Sequence, residues 1–140
     1  RTCPAKGPEL ESAMETMLPA AFAEASKKGM EIVGPPLSAY YTWDPKEGGN
    51  TRFTTGAMVA GDDSINEAGE EDNGLGIRSV GGVRCVTTVH TGPYDELIQC
   101  YEATMDWVEM KGFESKMPSV ELYENDPKDT EPAKLRTKVF

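Results

Sequence analysis

The chain reads as an α+β domain of two β-α-β-β repeats that share one antiparallel sheet, with two helices on one face and a ligand cleft on the other. Three observations predict this. First, Gly7-Pro8-Glu9-Leu10 opens a helical stretch ending at Lys27-Lys28-Gly29-Met30-Glu31, and Gly92-Pro93-Tyr94-Asp95 opens another ending at Met110-Lys111-Gly112-Phe113-Glu114. Second, each is followed by proline, a short strand-like run and Asp-Pro: Gly34-Pro35-Pro36-Leu37-Ser38-Ala39-Tyr40-Tyr41-Thr42-Trp43-Asp44-Pro45 and Met117-Pro118-Ser119-Val120-Glu121-Leu122-Tyr123-Glu124-Asn125-Asp126-Pro127. Third, the offset between the copies drifts only from 85 (Gly7 to Gly92) to 82 (Asp44 to Asp126). One shared Gly-Pro arises readily by chance. Shared order, spacing and terminators do not.

The elements follow in order. A strand is expected before the first helix, of which Arg1-Thr2-Cys3 is present; the first residue is Arg1 rather than Met, which fits a trimmed chain. At 100° per residue, Leu10, Met14, Met17, Leu18, Ala21, Phe22 and Ala25 fall within roughly 140° of one another. Pro19 falls on the opposite side, where it bends the helix around the core rather than ending it. Extended segments are expected at 37–43 and 51–60. Residues 61–76 then form an acidic linker, with Asp62, Asp63, Glu67, Glu70, Glu71 and Asp72 and no basic residue. Its spacing is not that of an EF-hand. A strand over 83–90 alternates Val83, Cys85, Thr87 and Val89 with Arg84, Val86, Thr88 and His90. In the second helix Tyr94, Leu97, Ile98, Tyr101, Met105 and Val108 fall within roughly 100°. Strands at 119–124 and 135–140 close the second repeat. Gly29 and Gly112 suit the left-handed position after a helix, with lysines before them that complement the helix dipole. The whole is one domain over 1–140, with repeats 1–60 and 77–140.

Composition narrows the function. The 140 residues carry 14 Lys plus Arg against 24 Asp plus Glu, a net charge of −10. Binding nucleic acid or an anionic membrane needs a basic face, so neither partner is expected. No apolar run approaches the ~20 residues of a membrane span. The single histidine, His90, rules out sites that need two. Cys3, Cys85 and Cys100 have no paired spacing, which points to buried free thiols and a reducing, cytoplasmic setting. No GxSxG elbow, phosphate loop or metal-ligand set occurs, so no cofactor or metal is expected. His90, where a strand meets the second helix, suits a hydrogen bond to loop backbone. Trp107, on the helix flank, suits packing. No clear apolar patch for a protein partner is found.

The alternation in 119–124 carries the chemistry. Period 2 puts Val120 and Leu122 on one face and Glu121 and Tyr123 on the other. If the apolar pair lies under the helices, the carboxylate and phenol lie on the open face, with Ser38 and Tyr40 in the matching positions. Trp43, at a strand end, fits either face. A half-enclosed carboxylate among rings attracts lipophilic cations, and desolvation also suits it to acid–base work. The same pattern equally fits an exposed glutamate beside a packed tyrosine.

These residues carry a family resemblance. His90-Thr91-Gly92-Pro93-Tyr94-Asp95-Glu96-Leu97, Tyr101, Trp107, Gly112, Pro118, Glu121-Leu122-Tyr123, Asp126-Pro127 and Leu135-Arg136-Thr137-Lys138-Val139 resemble a GyrI-like small-molecule-binding domain, the effector-binding domain of AraC- and MerR-type regulators, in stand-alone form. The resemblance implies binding of amphipathic, often cationic compounds in a central cleft, as in multidrug-binding members, for sequestration or effector sensing. It implies Glu121 in the pocket, with Tyr40, Trp43, Tyr123 and Phe53 as walls. Ser38, standing where the other repeat has a carboxylate, leaves one charge centre. Two alternatives follow from other branches. One is a hydrolase that opens cyclopropane-type electrophiles with Glu121 as its catalytic residue. The other is a DNA gyrase-inhibitor-like protein.

Overall fold

The computed structural model describes residues 1–4, 7–44, 49–61 and 84–140. The acidic linker, from residue 62 on, and the first residue of the expected 83–90 strand lie outside them. The elements are β1 (Thr2–Pro4), α1 (Pro8–Lys27), β2 (Ile32–Trp43), β3 (Asn50–Val59), β4 (Thr88–Thr91), α2 (Leu97–Met110), β5 (Ser119–Tyr123) and β6 (Arg136–Val139). A single 3-10 turn, Tyr94–Glu96, leads into α2.

The six strands form one antiparallel sheet in the order β1-β3-β2-β5-β6-β4. Each β-α-β-β half thus keeps its last strand in its middle, and the halves join along β2 and β5. At that seam Ser38 stands directly opposite Glu121. Side chains of directly paired residues share a face. The Ser38 hydroxyl meets Met14 of α1, and Glu121 meets Tyr101 of α2. Both helices therefore cover the same face, α1 over β1 and β3, α2 beside β4. Each helix thus reaches one strand of the β2–β5 seam, α1 at Ser38 and α2 at Glu121.

Both helices end as their glycines predict. Gly29 and Gly112 have φ of 69° and 70°. The amide of Met30 donates to the Ala25 carbonyl and that of Phe113 to Val108, closing each last turn. In α1 the expected apolar face is turned inward, Ala13 joins it, and Pro19 is exposed within an unbroken helix. The core of this half is Cys3, Ala13, Tyr40 and Phe53, with Leu10, Met14 and Met17 packed around it. Burying such side chains contributes roughly 25 cal/mol per Å² of apolar surface.

Several expectations are corrected. The first is the face carrying the site. Ser38, Tyr40, Glu121 and Tyr123 point toward the helices, and Leu37, Ala39, Val120 and Leu122 toward the other side. The expected site residues lie on the helix-bearing face, not on the opposite one. A polar set can occupy the covered face when its members hydrogen-bond one another, as these do. Second, β2 starts at Ile32 rather than 37. It absorbs Pro35 and Pro36 beside a register shift between Ile32 and Pro36, the kind of irregularity at which a sheet tolerates proline. Third, β4 is only Thr88–Thr91, because its one partner, β6, is four residues long. Cys85 therefore precedes the strand and is exposed, while Cys3 is buried and Cys100 half-buried. Fourth, Trp107 is exposed, stacked on Phe113 with Lys111 over its ring. With the exposed Met110 it makes an apolar patch at the end of α2.

A second shift in β2 matters for the site. Tyr40 pairs with Phe53 and Thr42 with Arg52, so Tyr41 is an extra residue, a bulge. Beyond it Trp43 pairs with the fully buried Thr51 and lies on the side of Tyr40.

Candidate binding site between the helices

The candidate site is built around Glu121, whose side chain rises from the centre of β5 toward α2. It is 6% exposed and is the one charged residue among the buried described residues. Three phenols hold it. Tyr101 of α2 donates to Oε1 at 2.8 Å, and Tyr123 donates to Oε2 at 2.8 Å. Tyr40 donates to the same Oε2 at 3.4 Å, and its hydroxyl lies 3.5 Å from that of Tyr123. No Lys or Arg among the described residues pairs with this carboxylate.

Burial pushes the Glu121 carboxyl above its ordinary value of 4.5, and the bonds from Tyr123, Tyr101 and Tyr40 pull against that shift. Burial, then the nearby Glu121 charge, raises the phenols of Tyr40, Tyr101 and Tyr123 above the ordinary tyrosine value. They stay protonated at neutral pH and act as donors.

The other expected residues fall around this centre. Ser38 is fully buried beneath it. Trp43, 39% exposed, meets Tyr40 edge-on with ring centres 5.8 Å apart, so it stands at the rim. Phe53 is 0% exposed and stacks against Tyr40 at 5.9 Å. It supports a wall without forming one. His90 lies apart from the carboxylate cluster, its Nε2 donating to the Pro93 carbonyl at 3.1 Å. Gly92 next to it has φ of 145°, and a Cβ there would come within 3.2 Å of His90 Nε2. Among the described residues no group of three His, Cys, Asp or Glu could hold a metal. No helix among them is long and apolar enough to cross a membrane.

A family model for the GyrI-like small-molecule-binding domain matches residues 3–140. The chain belongs to this family. The GyrI-like domain is also similar in fold to solved structures. One is EcmrR in an EcmrR–DNA complex described as part of EcmrR-RPo, with a TM-score of 0.73 and 22% identity, covering 93% of this chain. The domain spans 47% of that protein's length. Another is the EcmrR C-terminal domain alone, with a TM-score of 0.70 and 22% identity, covering 91% of this chain and 80% of that one. A third is an uncharacterized conserved protein from Listeria innocua, with a TM-score of 0.55 and 16% identity, covering 99% and 82%. No curated protein matches the sequence.

Two residues of this candidate site escape the sequence reading as site residues. Tyr101 binds the carboxylate directly, and Tyr94 packs edge-on against Tyr123 at 5.7 Å. Both stand in the apolar sector of the second helix, where they read as packing. The available signal is their polar tips: a sector with two tyrosine hydroxyls needs polar partners.

Proposed function

We propose that this GyrI-like domain binds amphipathic aromatic cations in the cleft between α1 and α2, for sequestration or effector sensing. The observation that carries this reading is a buried carboxylate with three phenol donors and no cationic partner among the described residues. An unpaired buried charge costs several kcal/mol. A cation laid against the phenol rings would offset that cost and gain cation–π attraction. Tyr94, Tyr40 and Trp43 supply partly exposed or supporting ring surface around it.

The arrangement favours holding a ligand over turning it over. Phenols take three of the ~four acceptor sites of the Glu121 carboxylate, which leaves one for a water that a base would activate. The phenols, raised above their ordinary value, are poor nucleophiles at neutral pH.

The test is titration with tetraphenylphosphonium, followed by tryptophan fluorescence and calorimetry, with mass spectrometry of electrophiles recovered after incubation. Saturable binding that is lost in Glu121→Gln, with every compound returned intact, supports a binding module. A water adduct that disappears in the same variant would replace this reading with a hydrolase. No binding of the cation would end it.

A further inference from the structure

The two halves of the cleft are matched in their phenols and unmatched in their charge. Counting 83 residues forward carries Ser38 onto Glu121 (121 − 38) and Tyr40 onto Tyr123 (123 − 40). Tyr40 and Tyr123 do occupy corresponding places, their hydroxyls converging on one carboxylate oxygen. Ser38 and Glu121 face each other across the seam. The second half thus offers a carboxylate, and the first offers a small hydroxyl, fully buried and 3.6 Å from the Met14 sulfur.

The surroundings follow the same division. On the α1 side, Leu10, Met14 and Met17 pack around Tyr40 and Phe53, and none is charged. On the α2 side stand Tyr94, Tyr101 and Glu121. We infer that Ser38 restricts this cleft to compounds with a single positive charge, seated beside Glu121 with the apolar arm directed toward α1. This rests on the cation-binding reading above and specifies its ligand class.

The physical reason is desolvation. A first charge entering the cleft meets Glu121. A second charge fixed within the same rigid ligand would lie among thioether and hydrocarbon groups, stripped of water with no carboxylate opposite. Methionine is soft and adapts to flat apolar surfaces, which favours an uncharged ring there. The overall negative charge of the protein pulls the other way, but salt screens it over about 10 Å. The local term therefore decides. A carboxylate at position 38 would reverse the preference by giving the second charge a partner.

The experiment compares benzyl viologen, a rigid dication, with its monocationic isostere in which one ring nitrogen is replaced by carbon. Calorimetry measures both on the intact chain at moderate salt. The expected result is that the monocation binds about tenfold tighter or more. Ser38→Asp should narrow that ratio at least several-fold by gaining affinity for the dication. Met14→Glu, at a half-buried position on the same wall, tests the same point where a charge is easier to accommodate. Equal or tighter binding of the dication by the unaltered protein would overturn the inference whether or not the variants fold. Failure of both compounds to bind would instead overturn the cation-binding reading beneath it.

Discussion

Glu121 concentrates the energetics of the site in one ionisable group. Because burial raises its pKa in the folded state, the folded protein holds this proton more tightly than the unfolded chain. Its contribution to stability is therefore fullest below the unfolded value and is lost as pH rises through the folded value. Glu121→Gln should then melt no lower than the parent at pH 8, and higher if the carboxylate is ionised there, while losing tetraphenylphosphonium binding. A variant that unfolds would make the residue structural. A cation binds the ionised form, so affinity should rise with pH across the titration of Glu121 and level off above it. Calorimetry in two buffers of different ionisation enthalpy should detect proton release at the low end. Tyr101→Phe removes one donor to the carboxylate, a bond worth about 1.5–3 kcal/mol to a charged group, and should move that titration further upward. A pH profile of binding reads this directly.

At the scale of the element, the fold depends on a few terminators and one buried ring. Gly112 has φ of 70° with open space around it. Gly112→Ala should therefore cost about 1–2 kcal/mol from the backbone alone, seen as a lower urea midpoint with binding intact. Phe53 is buried against Tyr40, and Phe53→Ala should cost about 3–5 kcal/mol, read by the same denaturation. The helix ends, the inward face of α1 and the pairing of like segments were legible in the sequence because glycine conformation and helical period have local causes. The covered side of the sheet was not. Alternation along 119–123 says that Glu121 and Tyr123 share a face, but it carries no sign. Ordinary apolar-inward reasoning sent them to the open side. The structure reverses this because three phenols and a carboxylate satisfy one another under the helices. Tyr101 was missed for a related reason. Its contact with Glu121 joins residues 20 apart, on a helix and a strand, and no local pattern encodes it.

For the molecule as a whole, the site lies where two similar halves meet. Each half supplies a tyrosine to the shared centre, α2 supplies another, and only the second half supplies charge. Neither half contains all the residues of the proposed site, so the proposed binding depends on the β2–β5 seam. A ligand should therefore stabilise the domain as a unit, raising its melting temperature with concentration as expected when only the folded state binds. A thermal shift with tetraphenylphosphonium checks this, and a transition in which only one half responds would argue against a seam-spanning site. The exposed Trp107–Phe113 stack lies outside this cluster, on the outer end of α2, so Trp107→Phe should leave the affinity unchanged while simplifying the fluorescence signal to Trp43.

The extra residue at Tyr41 makes the rim of the cleft a matter of counting. Tyr40 and Trp43 are three residues apart, so simple alternation would send Trp43 to the far side of the sheet, and the bulge keeps it on the side of Tyr40. A relative with one added residue in β3 opposite Tyr41 would close the bulge and turn this tryptophan to the other face while keeping the same aromatic residues in the same order. An alignment that treats such a gap as neutral would then place a tryptophan in the cleft of a protein that points it into solvent.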